Sequence, residues 1–323
     1  MLKGRRSHTG IDAGQGSVKA VRLEVSPPGG YRITHWGIEP VDPEAEDVTR
    51  ARIQALDRLF RRIGLKPRRT GLVAAGLGGR AVTVRQVVYP RLSAEEIRTS
   101  LAFEAKKHLP LDGVADPVID FQILGPAPDD GLNVLLAAAP RRERDSLLRV
   151  LREVGIEPDV IDVHPLPMIN ALLAAHPPEG DGGSLGMLDC GAGSSMLATT
   201  GVAGAFYSRS LEFDSSALFG EEKKSAAKTE QKAIDALVRE VGETARFFNA
   251  RNREHPLKRI YLCGGAAVLD GLDRQMTERL GVEVAIPDPF AGCELAVDAP
   301  STALERAQLM TATGLARWWT GDV

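Results

Sequence analysis

The chain has 323 residues, 43% of them hydrophobic, and a net charge of −3. That length gives room for two domains with cores of their own, and the mild acidity offers no basis for nucleic acid as a general partner. Three widely spaced cysteines, Cys190, Cys263 and Cys293, form no C-x-x-C pair, which argues against a disulfide framework or zinc site and for a reducing compartment. No apolar run reaches the ~18–20 residues that a transmembrane helix needs. Residues 1–8 are basic with no apolar core behind them, so they are not read as a signal peptide.

The first element reads as a hairpin. Thr9-Gly10-Ile11 and Val18, Ala20, Val21 and Leu23 have strand-like composition. Between them lies Asp12-Ala13-Gly14-Gln15-Gly16-Ser17, a D-x-G-x-G-S phrase. Two glycines in a tight turn let the backbone reach positive φ and expose its N–H groups. Consecutive N–H groups make a concave anion site suited to phosphate, and the serine hydroxyl can donate too. An aspartate at the strand end can hold Mg²⁺ through water, because that ion keeps several waters. The usual dinucleotide fingerprint does not fit. No third glycine follows Gly16 at the right spacing, and residues 17–25 alternate as a strand where a helix should open. No P-loop motif occurs.

A smaller α/β segment follows. Ser93 and Glu96 form a capping-box pattern, and a helix continues to about His108 with Ile97, Leu101, Ala105 and Leu109 on one face. It stops at Pro110. Residues 121–124 and 133–139 read as strands around a turn at 126–131. A helix over 141–154 shows the stripe Leu147, Leu148, Leu151 and Val154 and ends near Gly155. Residues 160–163 form a strand, and a helix follows through Met168, Leu172 and Leu173.

The D-x-G-x-G-S phrase then returns as Asp189-Cys190-Gly191-Ala192-Gly193-Ser194. It again sits between strand-like residues: Leu185, Met187 and Leu188 before it, Met196 and Leu197 after it. A repeat so widely spaced implies two related lobes facing each other, since a solenoid repeats every ~20–50 residues. Two such turns could clamp a nucleotide triphosphate tail and its metal; ordinary hairpin turns are the alternative. Last, a strand over 259–263 leads into Gly264-Gly265-Ala266, and a helical pattern runs from Val268 through Leu269, Leu272, Met276 and Leu280 to Gly281. Glycines at such a junction let a ligand approach the backbone and the positive helix end. A simple tight turn fits the same residues.

Hairpin, hairpin and glycine turn in this order resemble the phosphate-1, phosphate-2 and adenosine elements of the actin-like ATPase superfamily. Between them, Val87-Val88-Tyr89-Pro90-Arg91-Leu92-Ser93-Ala94-Glu95-Glu96-Ile97 and Glu104-Ala105-Lys106-Lys107-His108-Leu109-Pro110-Leu111 resemble the type IV pilus assembly proteins of the PilM family, relatives of the division protein FtsA. So do Ala137-Ala138-Ala139-Pro140, Tyr207-Ser208-Arg209, Pro287-Asp288-Pro289-Phe290 and Thr313-Gly314-Leu315-Ala316. The similarity covers about residues 10–316. It implies an α/β, actin-like (RNase H-like) two-lobed fold with mixed five-stranded sheets. The first lobe (subdomain 1A) would be 8–85, completed by about 160–180 and a C-terminal helix over 302–319. An inserted subdomain, 1C, would be 86–159. The second lobe would be 183–301, with a reduced 2B at about 212–257.

The resemblance also implies roles. Gly14, Gln15, Gly16 and Ser17 would bind the terminal phosphates of ATP. Lys19 would screen them, or is an outward strand lysine. Gly191, Ala192, Gly193 and Ser194 form the second phosphate hairpin. Asp12 and Asp189 would hold Mg²⁺ through water, and Gly264, Gly265 and Ala266 would lie against ribose and adenine. Asp162 either orients an attacking water, as a polar residue in that region can in the superfamily, or caps a helix. His164 is read as structural. One departure stands out: after Arg209 the family's Gly-Gly turn is missing, and residues 220–232 are short and charged. This implies a weakened nucleoside wall beside better preserved phosphate contacts.

The function implied is a cytoplasmic ATP-binding scaffold, at most a weak ATPase, at the inner face of the inner membrane. In such proteins a groove between 1A and 1C takes the cytoplasmic N-terminal tail of the membrane protein PilN. Other platform or motor proteins would be further partners, a homo-oligomer is open, and no nucleic acid is expected. One alternative is an FtsA-like membrane-tethered filament protein, for which residues 318–323 are too short and too weakly basic an amphipathic helix. The other is a small-molecule kinase, for which no second acidic cluster supplies a base.

Overall fold

In a computed structural model, residues 6–26, 30–109, 114, 116–127, 129–177, 183–201, 205–213, 226–269 and 271–318 are described. Around the first glycine turn, β1 (Arg6–Ala13) and β2 (Ser17–Ser26) pair antiparallel from Arg6↔Val25 to Ala13↔Val18. Ile11, Val18, Val21 and Leu23 are fully buried, and β3 (Gly30–Pro40) extends the meander. Asp47 caps α1 (Val48–Arg62) by accepting from the Arg50 N–H at 3.0 Å. The helix buries Ala51, Ala55, Leu56, Leu59 and Phe60. β4 (Leu72–Leu77) then pairs parallel with β1, and all but its first residue is buried. A parallel strand covered on both faces is an apolar run of this kind. β8 (Val160–Val163) follows, parallel to β4.

The first sheet has the order β14-β3-β2-β1-β4-β8, six strands where five were expected. The sixth is β14 (Cys293–Leu295), paired parallel with β3 from Cys293↔Tyr31. The sequence reading placed residues up to 301 in the second lobe. This stretch instead returns to the first sheet, because Phe290 is buried in an apolar cluster with Val21, Leu23 and Ile33 and lies 6.3 Å from the Trp36 ring.

The second sheet has the order β11-β10-β9-β12-β13. β9 (Ser184–Cys190) and β10 (Ser195–Thr200) flank the second glycine turn. β11 (Phe206–Leu211) pairs antiparallel with β10, β12 (Leu257–Gly264) parallel with β9, and β13 (Glu283–Ala285) parallel with β12. α5 (Ala226–Arg251), for which the sequence reading had only a charged stretch, packs Leu237, Val241 and Phe248 into this lobe's core. The helix expected from Val268 is divided. Residues Gly265–Val268 form a 3-10 turn, and α6 (Leu272–Leu280) begins after Gly271, whose φ of 72° interrupts the helix.

A third sheet, β5-β7-β6, is built from β5 (Thr83–Tyr89), β6 (Pro117–Ala127) and β7 (Gly131–Pro140). α2 (Ala94–His108) covers it and carries the expected capping box between Ser93 and Glu96. Its core of Ile97, Leu101, Val134 and Leu136 is separate from the others. α3 (Arg141–Glu153) does not belong to that core. Its Leu147, Val150 and Leu151 pack with Ala55 and Leu59 of α1 in the first lobe. Val150 takes the buried place that the sequence stripe gave to Leu148, which is only half-buried.

α4 (Leu166–Ala175) and α7 (Ala303–Ala316) join the lobes: α7 packs against α4, β1, β2 and β4 and also against β12. Glycines permit this closeness. A Cβ on Gly10 would collide with the Ala312 carbonyl, and one on Gly314 with the Pro167 carbonyl. In an exposed helix Gly→Ala gains about 1 kcal/mol, whereas overpacking costs about 1–3 kcal/mol and more where backbone is the obstacle. Gly314→Ala is therefore expected to lower stability in urea unfolding; an unchanged or raised midpoint would show that the α4–α7 contact yields easily.

Candidate functional site

The two D-x-G turns face each other across a cleft of about 660 Å³ between the first and second sheets. Every residue of the two D-x-G-x-G-S phrases except Cys190 lines it, and so do Gly264 and Gly265. The turns nearly touch. A Cβ on Gly16 would stand 3.0 Å from the Ala192 methyl. Gly193, at φ 86°, has the Gln15 side chain against it where a Cβ would be. Arg80 Nε donates to the Gly193 carbonyl at 3.3 Å and ties the first lobe to the second turn. Behind them, Gly264 at φ 80° would place a Cβ 2.5 Å from the Cys190 carbonyl and 2.6 Å from Asp189 Oδ1. Only glycine allows β12 to run that close to the carboxylate.

Asp12 and Lys19 are opposite each other in the β1–β2 ladder, and Lys19 Nζ meets Asp12 Oδ2 at 3.0 Å. Lys19 thus points into the cleft. Burial alone would raise the Asp12 carboxyl, but Lys19, His164 and Arg52 together outweigh it and hold the group below its ordinary range. Asp189 shifts the other way. Burial dominates, the negative charge of Asp12 adds to it, and His164 and Lys19 offset only part. Asp189 has no ion-pair partner among the described residues. Burial also pushes the Cys190 and Cys263 thiols up, so both are neutral packing groups.

Two expectations fail. Asp162 does not line the cleft; it sits opposite Gly76 in the β4–β8 pair, and its carboxylate turns back to accept from the Val163 N–H at 2.8 Å. Nor does it cap a helix, for Pro165 holds the N-cap position of α4. Ala266 is also absent from the cleft, because the 3-10 turn rotates its methyl into the second-lobe core.

Other residues take part that the sequence reading passed over. His164, read as structural, lines the cleft. Its ring lies over two glycines: a Cβ on Gly76 would be 2.8 Å from Nε2, and one on Gly78 2.8 Å from Nδ1. Nε2 is buried with no hydrogen-bond partner among the described residues. The Gly78-Gly79-Arg80 turn after β4 and Gln308 and Thr311 of α7 complete the walls. Glycines directly after an apolar strand were the available signal for that turn. Of the charged stretch over 220–232, read as a weakened nucleoside wall, residues 220–225 lie outside the described residues.

The donor set fits a hydrated metal better than a protein cage. No group of three His, Cys, Asp or Glu side chains converges among the described residues. Two carboxylates on opposite walls suit Mg²⁺, which keeps its waters and takes its other ligands from phosphate.

Opposed sheet lobes, each with a D-x-G hairpin at the shared cleft and with paired helices crossing between them, define an actin-like fold. The architecture is similar to that of a solved PilM-PilN type IV pilus biogenesis complex, with a TM-score of 0.78 at 23% identity, covering 98% of this chain and 100% of that one. It is also similar to the nucleotide-free form of diol dehydratase-reactivating factor, with a TM-score of 0.57 at 9% identity over 98% and 100% of the two chains. The family model for type IV pilus assembly protein PilM matches residues 10–221 and 231–317. The chain belongs to that family. Among the described residues no helix is long and apolar enough to cross a membrane.

The Asp162 carboxyl, pushed up to about 6 by burial, yields a pH test. Its folded-state value lies above the unfolded one. The resulting penalty is absent below the ordinary carboxyl value of 3.8 and complete above about 6. Asn keeps the acceptor for Val163 and removes the charge. Asp162→Asn is expected to stabilise the chain by roughly 2–3 kcal/mol at neutral pH, a gain that shrinks as pH falls from 6 towards 4. Urea midpoints at both ends of that window decide it, and a pH-independent difference would refute the assignment.

Proposed function

We propose that the chain is an ATP-binding scaffold of a type IV pilus assembly platform. Mg-ATP would occupy the cleft, with the glycine turns donating backbone N–H groups to the phosphates. The observation that carries this reading is the approach of the two D-x-G-x-G-S turns across one cleft that both Asp12 and Asp189 line. Lys19 is in place to offset phosphate charge once it is released from Asp12. Mg²⁺ would supply charge neutralisation at the terminal phosphates, with its waters held by Asp12 and Asp189. His164, which acts electrostatically on both carboxylates, takes the polar role first assigned to Asp162. The chain is at most a weak ATPase.

Calorimetric titration of the full chain with Mg-ATP tests this. Asp189→Ala is expected to weaken Mg-dependent binding at least about tenfold, in line with an ionic contact worth 1.5–3 kcal/mol, while circular dichroism stays unchanged. A folded wild-type chain that takes up no nucleotide at millimolar concentration would leave a scaffold without a ligand.

The second part of the proposal is the partner. The solved relative is a complex with PilN, and we infer that this chain takes the cytoplasmic tail of a PilN-like membrane protein between the β5-β7-β6 subdomain and the first lobe. That contact would hold it at the inner face of the inner membrane, within reach of other platform or motor proteins. Support comes from apolar side chains left in solvent on the subdomain: Phe103 is 84% exposed and Val88 59%. Extended peptides are captured by such pockets or by a sheet edge.

The subdomain can be removed cleanly only at the right boundary. A cut from 86 to 159 would delete α3 and open the first-lobe core. Thr83 is opposite Ala138 in the β5–β7 ladder, so residues 83–140 can be replaced by a short glycine linker. This variant is expected to lose capture of the tail peptide in a pull-down and to keep Mg-ATP binding. Capture that survives in the folded variant would exclude the subdomain as receptor.

A further inference from the structure

The far end of the first lobe carries a charge pattern that the nucleotide cleft does not use. Residues 58–69 hold six Arg and Lys and no Asp or Glu, in a chain of net charge −3. Arg61 and Arg62 form the last turn of α1, and Lys66, Arg68 and Arg69 are exposed at the following 3-10 turn, Pro67–Arg69. Few carboxylates answer them. Glu39 is shared between Arg58 at 2.9 Å and Arg62 at 3.3 Å, and Asp57 pairs with Arg61 at 2.8 Å. Glu24 is engaged by Arg22 at 3.3 Å. Lys66, Arg68 and Arg69 have no carboxylate partner among the described residues.

The turn is held firmly. Thr70 accepts from Thr9 Oγ1 at 2.6 Å through its carbonyl, and its own hydroxyl donates to the Pro67 carbonyl at 2.9 Å. Arg22 Nε donates to the Arg69 carbonyl at 3.2 Å. Gly71 fits closely against Ser7 at the start of β1. The basic turn is therefore at the beginning of β1 and β4, whereas the cleft is at their ends. Roughly 15 Å of strand lies between them, at about 3.3 Å per residue.

We propose that this end of the first lobe is a docking surface for the anionic phospholipid headgroups of a bilayer. Arg68 and Arg69 offer planar forks that match phosphodiester oxygens, and Lys66 a point charge. Exposed cations gathered at one end of a lobe suit a planar anionic surface, whereas the net charge of −3 disfavours a flexible polyanion that would wrap the chain. The turn exposes no large apolar side chain, so the contact is adsorption without insertion. The surface is distinct from the nucleotide cleft and does not depend on whether ATP binds there.

Co-sedimentation of the full chain with vesicles tests it. The wild type is expected to bind phosphatidylglycerol-containing vesicles at low salt, to ignore pure phosphatidylcholine, and to be released as the Debye length falls. A basic side chain near an anionic surface is worth roughly fivefold in partitioning. The triple variant Lys66→Glu, Arg68→Glu, Arg69→Glu should thus lose at least about 100-fold. A control with the same charge change elsewhere, Arg149→Glu, Arg253→Glu, Arg274→Glu, should lose far less. Thermal melts confirm that both are folded. Equal loss in the two variants, or no vesicle binding by the wild type, overturns the proposal. So would tighter binding of a DNA duplex than of vesicles at the same salt. So would patch-dependent self-association without lipid, in which the exposed acidic residues Asp42, Glu44, Glu46 and Asp47 of a second copy cover the turn.

Discussion

Two carboxylates face one cleft and share one lysine. Lys19 bonds directly to Asp12, which leaves Asp189 buried beside a negative charge and without an ion pair among the described residues. In a low-dielectric site an unpaired charge is costly, and the cost falls if a further cation enters. The rest of the architecture keeps the two carboxylates in that relation. Each sits at the end of a central strand, and each strand belongs to a different sheet. Their separation therefore depends on how the sheets are held, and a ligand that joins them stabilises the closed arrangement by mass action.

The lobes are held by backbone meeting backbone. At Gly10 and Gly314 the crossing helices approach the first sheet and each other more closely than any side chain would allow. Contacts of this kind tolerate little adjustment, because interiors are packed near crystal density. The inserted subdomain makes a different sort of contact. The free edge of β5 comes up to the free edge of β11, but a full ladder does not form. The Gln86 side chain accepts from the Phe206 N–H at 2.9 Å, and Ser208 Oγ donates to the Val84 carbonyl at 3.0 Å. Two hydrogen bonds are worth about 1–3 kcal/mol in total, far less than a core. The subdomain thus enters and leaves through the first lobe in sequence and meets the second lobe where β5 approaches β11. A movement between lobes would be felt at β5.

What could be read from the sequence was what depends on neighbours in the chain. Both hairpin turns, their strands and the capping box at Ser93 announce themselves within a few residues, since positive φ and unpaired N–H groups demand Gly, Asp or Ser on the spot. What escaped depends on residues far away. β14 is too short to signal anything alone and exists because β3, some 260 positions earlier, offers an edge. α3 has a clear apolar stripe, but no stripe says which core it will enter. Asp162 and His164 show the limit most clearly. Both are polar residues near the end of one strand, and the superfamily resemblance pointed to the aspartate. His164 reaches the cleft because Gly76 and Gly78, on β4 and just beyond it, leave room for its ring, while Asp162 spends its carboxylate on the adjacent N–H.

The same distinction separates the two kinds of recognition surface. The wall of the cleft formed by the two turns is mostly backbone, so its shape depends on a few glycines and on the carboxylates behind them. The inserted subdomain instead offers Phe103 and Val88, which contribute nothing to a core and can be exchanged at little cost in stability. On the proposed function, such a scaffold would keep its nucleotide chemistry constant while a handful of exposed side chains set the identity of the protein it holds. On that reading, specificity for the partner would reside in the subdomain's surface.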